Sequence, residues 1–283
     1  LVVCPLRVIG SWKTQLAQYL AEPYVIAALD DDADTVAKRV DHAKALGELA
    51  KVTGRRFFVV CNYDVFWRDP LSDWVLAQQW DVVIYDESHK IKTPGGRASL
   101  MAKRLLSRAR NRILATGTPL AHSPLDAFAQ FRAAAPSIFG PSFASFKVRY
   151  AKLGGPNKKW VVGFQNTDDL ERKMAPLTWR CTKREALPDL PEEQEVEFST
   201  ELSAEAARIY RQLEKDMIAE IEGGILTAAN CLTKVLRLQQ LTGGSLPTDD
   251  GLFHRVDDGK RKLLADTLDD LGDQPAVIFC RFR

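Results

Sequence analysis

Asp81-Val82-Val83-Ile84-Tyr85-Asp86-Glu87-Ser88-His89 is the stretch on which the fold class of this 283-residue chain turns. Val82–Tyr85 is short, apolar and rich in β-branched and aromatic residues, so it predicts a strand covered on both faces. Two adjacent carboxylates and a histidine follow where the strand ends. In open α/β sheets that end is where ligands bind. On these residues alone two readings stand: a working acidic pair, or a solvated acidic turn of the kind any Asp-Glu makes.

Working outward, Leu1–Cys4, Tyr24–Leu29, Phe57–Cys61 and Arg112–Ala115 are runs of the same type. Between them Trp12, Leu16, Tyr19 and Leu20 recur at helical spacing after Ser11, a cap candidate. Val36, Ala37, Val40, Ala43 and Leu46 do the same after Asp34 or Thr35. Strand–helix alternation predicts parallel pairing through right-handed crossovers, a doubly wound α/β domain.

Arg112-Ile113-Leu114-Ala115-Thr116-Gly117-Thr118-Pro119 is a second apolar run that ends in short polar groups. Gly117 would permit a backbone turn that other residues resist. Thr116 and Thr118 could bond His89 or the acids. An ordinary strand-to-turn exit is the alternative. If both strand ends serve phosphoryl transfer, Asp86 helps hold Mg²⁺, often through water, and Glu87 orients and deprotonates the attacking water.

The rhythm stops after Pro136. Pro141, Gly154-Gly155-Pro156 and Pro176 interrupt a basic, aromatic stretch, read as an insertion or small helical module. Leu187-Pro188-Asp189-Leu190-Pro191 reads as a hinge before an alternating strand, Glu195-Val196-Glu197-Phe198. Helices are predicted at 204–221, 230–241 and 260–271, then a strand over Ala276–Cys280. The expected domains are therefore 1–135, an insertion and linker over 136–190, and the start of a second α/β domain over 191–283. A chain that opens and closes on strand-like runs is expected to be an excerpt of a longer protein.

Composition narrows the field. A formal net charge of +2 gives no global basic field, so any nucleic-acid surface must be local. Lys90–Arg112 and Arg172–Arg184 concentrate cations, either as such surfaces or as solvated faces. Five scattered cysteines and four unclustered histidines argue for core thiols in a reducing compartment and against a zinc site. No apolar stretch approaches a bilayer-spanning length and no signal peptide is evident. The expected location is cytoplasmic, in a bacterium or viral host, or nuclear, not secreted and without a membrane partner.

Asp86-Glu87-Ser88-His89 followed by Thr116-Gly117-Thr118-Pro119 resembles motifs II and III of superfamily-two helicase-like ATPases, in the form of the Swi/Snf branch. Weaker likenesses keep the same order. Val2-Val3-Cys4-Pro5-Leu6 with Trp12 resembles motif Ia, and Asn62-Tyr63-Asp64 resembles motif Ib. Ile91-Lys92 with Arg97 resembles the basic segment after motif II. Trp179–Lys183 with Leu187–Pro191 resembles the family's linker, Leu236–Gln240 its Leu-Arg-Gln helix, and Val277–Phe282 motif IV.

The resemblance implies two RecA-like domains that close on ATP and Mg²⁺ while gripping double-stranded DNA. Asp86 would hold the metal, Glu87 would activate water, and His89 would couple them to Thr116, Gly117 and Thr118. Pro5, Asn62, Lys92 and Arg97 fall in or beside segments that touch the nucleic-acid backbone in relatives; a strand end, a turn cap and two solvated cations are their plain alternatives.

Departures matter too. The chain contains no G-x-x-x-x-G-K-[ST] phosphate loop, and the family's arginine-finger motif is also missing. It is expected to bind ATP poorly and hydrolyse it negligibly by itself. Cys181 stands where the linker's second arginine is usual, and Tyr85 where an aliphatic or hydroxyl residue is frequent. Besides a translocase on duplex DNA, the sequence admits a strand-separating helicase, a restriction-system motor subunit, or a non-hydrolysing scaffold on a degenerate motor fold.

Overall fold

A computed structural model describes residues 1–30, 35–158, 160–222, 228–248 and 252–281. The chain forms two compact units, Leu1–Thr182 and Lys183–Arg283. Asp34, one of the two cap candidates, and Phe282 of the motif IV likeness lie outside the described residues.

The first unit is built on five parallel strands: β1 (Val2–Cys4), β2 (Tyr24–Ala28), β3 (Arg56–Asn62), β4 (Trp80–Asp86) and β5 (Ala109–Ala115). Their order is β2-β3-β1-β4-β5, so the chain winds one way from β1 and then the other. All five predicted runs form strands, and the α/β doubly wound reading holds.

Residues alternate between two apolar layers, as the pleat requires. Val3, Val59, Cys61, Val83 and Tyr85 join the larger core, with Val40 and Ala43 of α2 (Val36–Thr53), Phe66 of α3 (Tyr63–Phe66), Leu71 and Val75 of α4 (Leu71–Ala77), and Met101 and Ala102 of α5 (Arg97–Arg104). Val2, Cys4 and Val60 face the other way, toward Ile9 and Trp12 of α1 (Ile9–Tyr19). One helix covers less than four. The expected coverage of both faces is therefore complete on one side only, and Ile113 of β5 stays half exposed.

Thr35 caps α2, its hydroxyl accepting from the Lys38 N–H, while Ser11 is no cap: α1 starts two residues earlier, at Ile9. Beyond the sheet, α6 (Ala127–Ala134) and α7 (Phe143–Tyr150) carry an aromatic cluster of Phe128, Phe143, Phe146 and Tyr150, joined by Phe139 from the segment between them, and α8 (Thr167–Met174) adds Leu170 and Met174. The helical module predicted after Pro136 also contains an antiparallel pair, β6 (Ala151–Gly154) with β7 (Trp160–Phe164), which the Gly- and Pro-rich sequence concealed.

In the second unit α9 (Lys183–Ala186) is followed by α10 (Ala204–Glu222), α11 (Ala228–Thr242) and α12 (Gly259–Leu271), close to the predicted helices. Two predicted strands do not form. Glu195–Phe198 and Ala276–Cys280 are irregular, and among the described residues no strand pairs with either. An extended run needs a neighbour for its backbone N–H and C=O groups. The only strands of this unit among the described residues are the short antiparallel pair β8 (Ser245–Pro247) and β9 (Phe253–Arg255).

Candidate active site

Parallel strands bring all their carboxyl ends to one edge. Register places Cys4 beside Asn62, Val3 beside Tyr85 and Asp86 beside Ala115. Pro5, Asn62, Asp86–Glu87 and Thr116 therefore leave the sheet side by side.

At the tip of β4 the backbone turns sharply. Glu87 adopts the left-handed conformation at φ 51°, ψ 54°, which costs a non-glycine residue roughly 1–3 kcal/mol and needs support from its surroundings. Support is present. Asp86 Oδ1 accepts the Glu87 N–H at 3.0 Å, and the Glu87 carbonyl accepts the Lys90 N–H at 2.9 Å, opening a short 3-10 turn over Ser88–Ile91. The turn carries the Glu87 side chain away from Asp86 and toward β5.

There Glu87, His89 and Thr116 form a triangle. Thr116 Oγ1 donates to Glu87 Oε2 at 3.1 Å, His89 Nδ1 lies 3.1 Å from the same carboxylate oxygen, and Nδ1 lies 3.1 Å from Thr116 Oγ1. One proton arrangement satisfies every member: an Nδ1–H donated toward Glu87 and Thr116, and the threonine hydroxyl donated to Glu87. Thr116 Oγ1 then still accepts the Thr118 N–H at 3.1 Å. Both polar strand ends thus converge, and of the two threonines that could bond His89 or the acids it is the Thr116 hydroxyl that does so. Gly117 is the exception. Its φ is not positive, and a Cβ added there would meet nothing within 4 Å, so the turn does not require glycine.

Asp86 is held from three sides. Its Oδ2 accepts the Trp12 indole N–H at 2.9 Å, and its backbone carbonyl accepts the Tyr63 hydroxyl at 2.7 Å. Burial, then the neighbouring Tyr85 and Asp86, pushes the Tyr63 phenol upward and keeps it a donor. Burial, and next Asp86, pushes the Cys4 thiol up to about 12. Each Asp86 oxygen accepts one N–H and keeps a lone pair free. A carboxylate so engaged suits a water carried by Mg²⁺, which retains several waters and takes few protein ligands. Among the described residues no cluster of three or more His, Cys, Asp or Glu could hold a metal by itself.

Behind the triangle, Ser88 is fully buried and donates to Gln130 Oε1 at 2.7 Å. Gln130 Nε2 in turn donates to the Pro119 carbonyl at 2.6 Å and the Asp126 carbonyl at 3.0 Å. This ties the two polar strand ends together through α6. Sequence reasoning missed Gln130, the hydroxyl of Tyr63 and the indole donor of Trp12, whose helical spacing marks only an apolar face. Gln130 lies 42 residues from Ser88 with no local pattern to mark it.

The residues expected along a nucleic-acid path meet different fates. Asn62 is buried, and its side-chain oxygen caps α3 by accepting from Asp64 N at 2.9 Å and Val65 N at 3.1 Å. It offers almost no surface to a phosphate and instead shapes the turn. Lys92 is half-buried, 3.8 Å from Asp126. Arg97 is exposed, its guanidinium 4.5 Å from the Trp67 ring centre. Pro5 ends β1 and is half-buried.

The two basic stretches do not form two patches. Arg108 and Arg110 sit at the opposite, amino end of β5, and Arg112 bonds the carbonyls of Ala134, Leu106 and Ala109. Arg172 and Lys173 both lie within 4 Å of Asp169.

Fold and site together define an α/β chain with an acidic pair at the carboxyl edge of a RecA-like parallel sheet. A family model described as the SNF2-related domain matches residues 1–243, and the chain belongs to that family. Among curated relatives it is 27% identical over 198 residues to the TATA-binding protein-associated factor mot1 of Aspergillus fumigatus, covering 68% of this chain and 10% of that protein. It is 25% identical over 248 residues to the human DNA annealing helicase and endonuclease ZRANB3, covering 84% of this chain and 22% of that protein. The chain thus spans less than a quarter of either relative. A solved structure, the Sulfolobus solfataricus SWI2/SNF2 ATPase core in complex with dsDNA, shares the fold with a TM-score of 0.50 at 22% identity, over 96% of this chain and 53% of that one. No helix among the described residues is long and apolar enough to cross a membrane.

Proposed function

We propose that this chain is part of a motor that hydrolyses ATP and moves along double-stranded DNA. The observation that carries the reading is the triangle of Glu87, His89 and Thr116, built from two neighbouring strand ends beside Asp86. Membership of the SNF2-related domain family supports it, as does a fold shared with a core solved on dsDNA. A cytoplasmic or a nuclear location fits this reading equally.

Asp86, fixed by Trp12, would hold the Mg²⁺ that accompanies ATP, through a water. The metal supplies charge neutralisation at the phosphates. Glu87 takes a proton from the attacking water, and its carboxylate is aimed by Thr116 and His89. Thr116 belongs to the strand end that carries Gly117 and Thr118, so a shift of that strand end alters Glu87 directly. That contact is the proposed coupling between hydrolysis and the duplex. Pro5, Lys92 and Arg97 would line the duplex path with sequence-independent contacts, and Asn62 would shape it. The proposed domains are a first RecA-like body over 1–135, an insertion and linker over 136–190, and the start of a second RecA-like body over 191–283.

Having no G-x-x-x-x-G-K-[ST] stretch, the chain alone is expected to bind duplex DNA yet bind ATP poorly and hydrolyse it negligibly. Joined to such a loop and to an arginine finger, it is expected to hydrolyse ATP in a DNA-stimulated manner. Glu87→Gln should then lower turnover by about 10²–10⁴-fold, with duplex affinity unchanged. Turnover at the parent rate in that variant would remove Glu87 from the chemistry. Strand separation in an unwinding assay would assign the helicase alternative instead.

A further inference from the structure

Resting on the duplex reading above, we propose that Arg68 and Arg97 form a two-cation clamp for a nucleic-acid phosphate backbone, with Trp67 as its positioning residue. The guanidinium carbons lie 5.2 Å (Arg68) and 4.5 Å (Arg97) from the centre of the one indole. They reach it from separate parts of the chain: Trp67 and Arg68 follow α3, while Arg97 opens α5. Both guanidiniums are within the ~6 Å at which a cation gains from an aromatic face. They are also within about one Debye length, roughly 8–10 Å, of each other, so they repel.

Among the described residues no ion pair offsets that repulsion. Among the described residues no carboxylate lies within 4.0 Å of either side chain. Asp69, next in sequence, instead accepts the Ser72 hydroxyl. Some other cations of this unit have carboxylate partners: Arg149, Arg172 and Lys173 converge on Asp169, and Lys92 approaches Asp126. Arg68 and Arg97 are exposed, whereas Trp67 is half-buried and packs on the larger core. The loop before Arg97 is anchored as well, with Arg132 donating to the Pro94 carbonyl at 2.7 Å and to Ser99 at 2.8 Å.

Two held, unneutralised cations on a fixed platform call for an anion of repeating charge. Place favours nucleic acid over an acidic peptide. α3 leaves the sheet at the carboxyl edge, where Tyr63 touches Asp86, so the clamp stands beside the candidate active site. Duplex DNA presents a charge about every 1.7 Å of axis, so a pair at fixed spacing meets phosphates in any sequence.

The test is the anisotropy of a labelled random-sequence duplex titrated with the chain, at salt from about 50 to about 200 mM. Arg68→Ala and Arg97→Ala should each weaken binding roughly three- to tenfold and flatten the slope of log K against log salt by about 0.9. Arg68→Lys should keep the slope but lose affinity, since an ammonium lacks the planar group that stacks. Trp67→Leu should copy the arginine losses and Trp67→Phe should restore them. If Trp67→Leu fails to fold, the two exposed arginines decide the matter. Parent affinity and slope in Arg68→Ala overturns the clamp while leaving the duplex reading intact. A parent chain that binds no duplex sinks that reading and the clamp with it. Poly-glutamate displacing duplex as well, charge for charge, would assign the pair to acidic peptides and overturn the proposal.

Discussion

Val82-Val83-Ile84-Tyr85 and Ala276-Val277-Ile278-Phe279-Cys280 are nearly interchangeable as sequence, short apolar runs rich in β-branched and aromatic residues. The first forms the heart of β4, between β1 and β5, with Val83 and Tyr85 wholly buried. The second is irregular, with Val277 79% and Phe279 94% exposed. Apolar composition states that a segment gains by burial. Whether it becomes a strand depends on neighbours that complete its hydrogen bonds. The two runs therefore differ in partners, not in propensity.

That contrast can be pressed with chemistry first. Burial, and next Cys4, pushes the Cys61 thiol up to about 12, and Cys4 is raised to the same value. Cys280, in the unpaired run, is exposed. Alkylation at pH 8 should label Cys280 at least about 10³-fold faster than either strand cysteine, because only the thiolate reacts. Equal rates, read by peptide mass mapping, would break the contrast. The same shifts carry a pH sign. In the unfolded chain the thiols ionise near pH 9, whereas the fold holds their protons until about pH 12. Their contribution to stability is complete below about pH 9 and is lost as pH rises toward 12.

Side-chain truncation should divide in the same way. Phe66, fully buried with its ring edge-on to Tyr85, should cost about 3–5 kcal/mol on change to Ala. Phe279→Ala should stay within about 0.5 kcal/mol. Urea melts of both variants measure the difference, and equal losses would show that the exposed run is packed in solution.

Smaller effects sharpen the picture at the site. Ser88→Ala removes the donor to Gln130 Oε1 in a buried setting and should cost about 1–3 kcal/mol. Loosening the Pro119 segment should accompany it, visible as faster amide exchange over Thr116–Leu120. Asn62→Ala deletes the cap of α3 and should cost about 1 kcal/mol in thermal stability, with duplex binding changed less than by Arg97→Ala. The reverse ranking would return Asn62 to the nucleic-acid surface.

Much of the first unit was legible because its signals are local. Every strand of the sheet coincided with an apolar run, and Asp86, Glu87, His89 and Thr116 stood where a strand end must place them. Thr35 declared its cap by position. The hairpin of β6 and β7 stayed hidden because Gly154, Gly155 and Pro156 read as interruption, although they make the bend between two strands. Ser11 misled because hydroxyls favour caps only where the helix begins, and Ile9 begins it. Arg112 was counted among surface cations, yet it spends its donors on backbone carbonyls.

By itself, the sequence determined which segments would form the five-stranded sheet, that they would run parallel, and which polar side chains would stand at their ends. Those outcomes follow from periodicity and chain order, which each residue carries locally. Only the tertiary structure decided that Trp12 and Tyr63 would hold Asp86, that Gln130 would bridge Ser88 to Pro119, and that two distant arginines would share one indole. Such contacts join side chains tens of residues apart, and packing chooses them among many chemically equal partners.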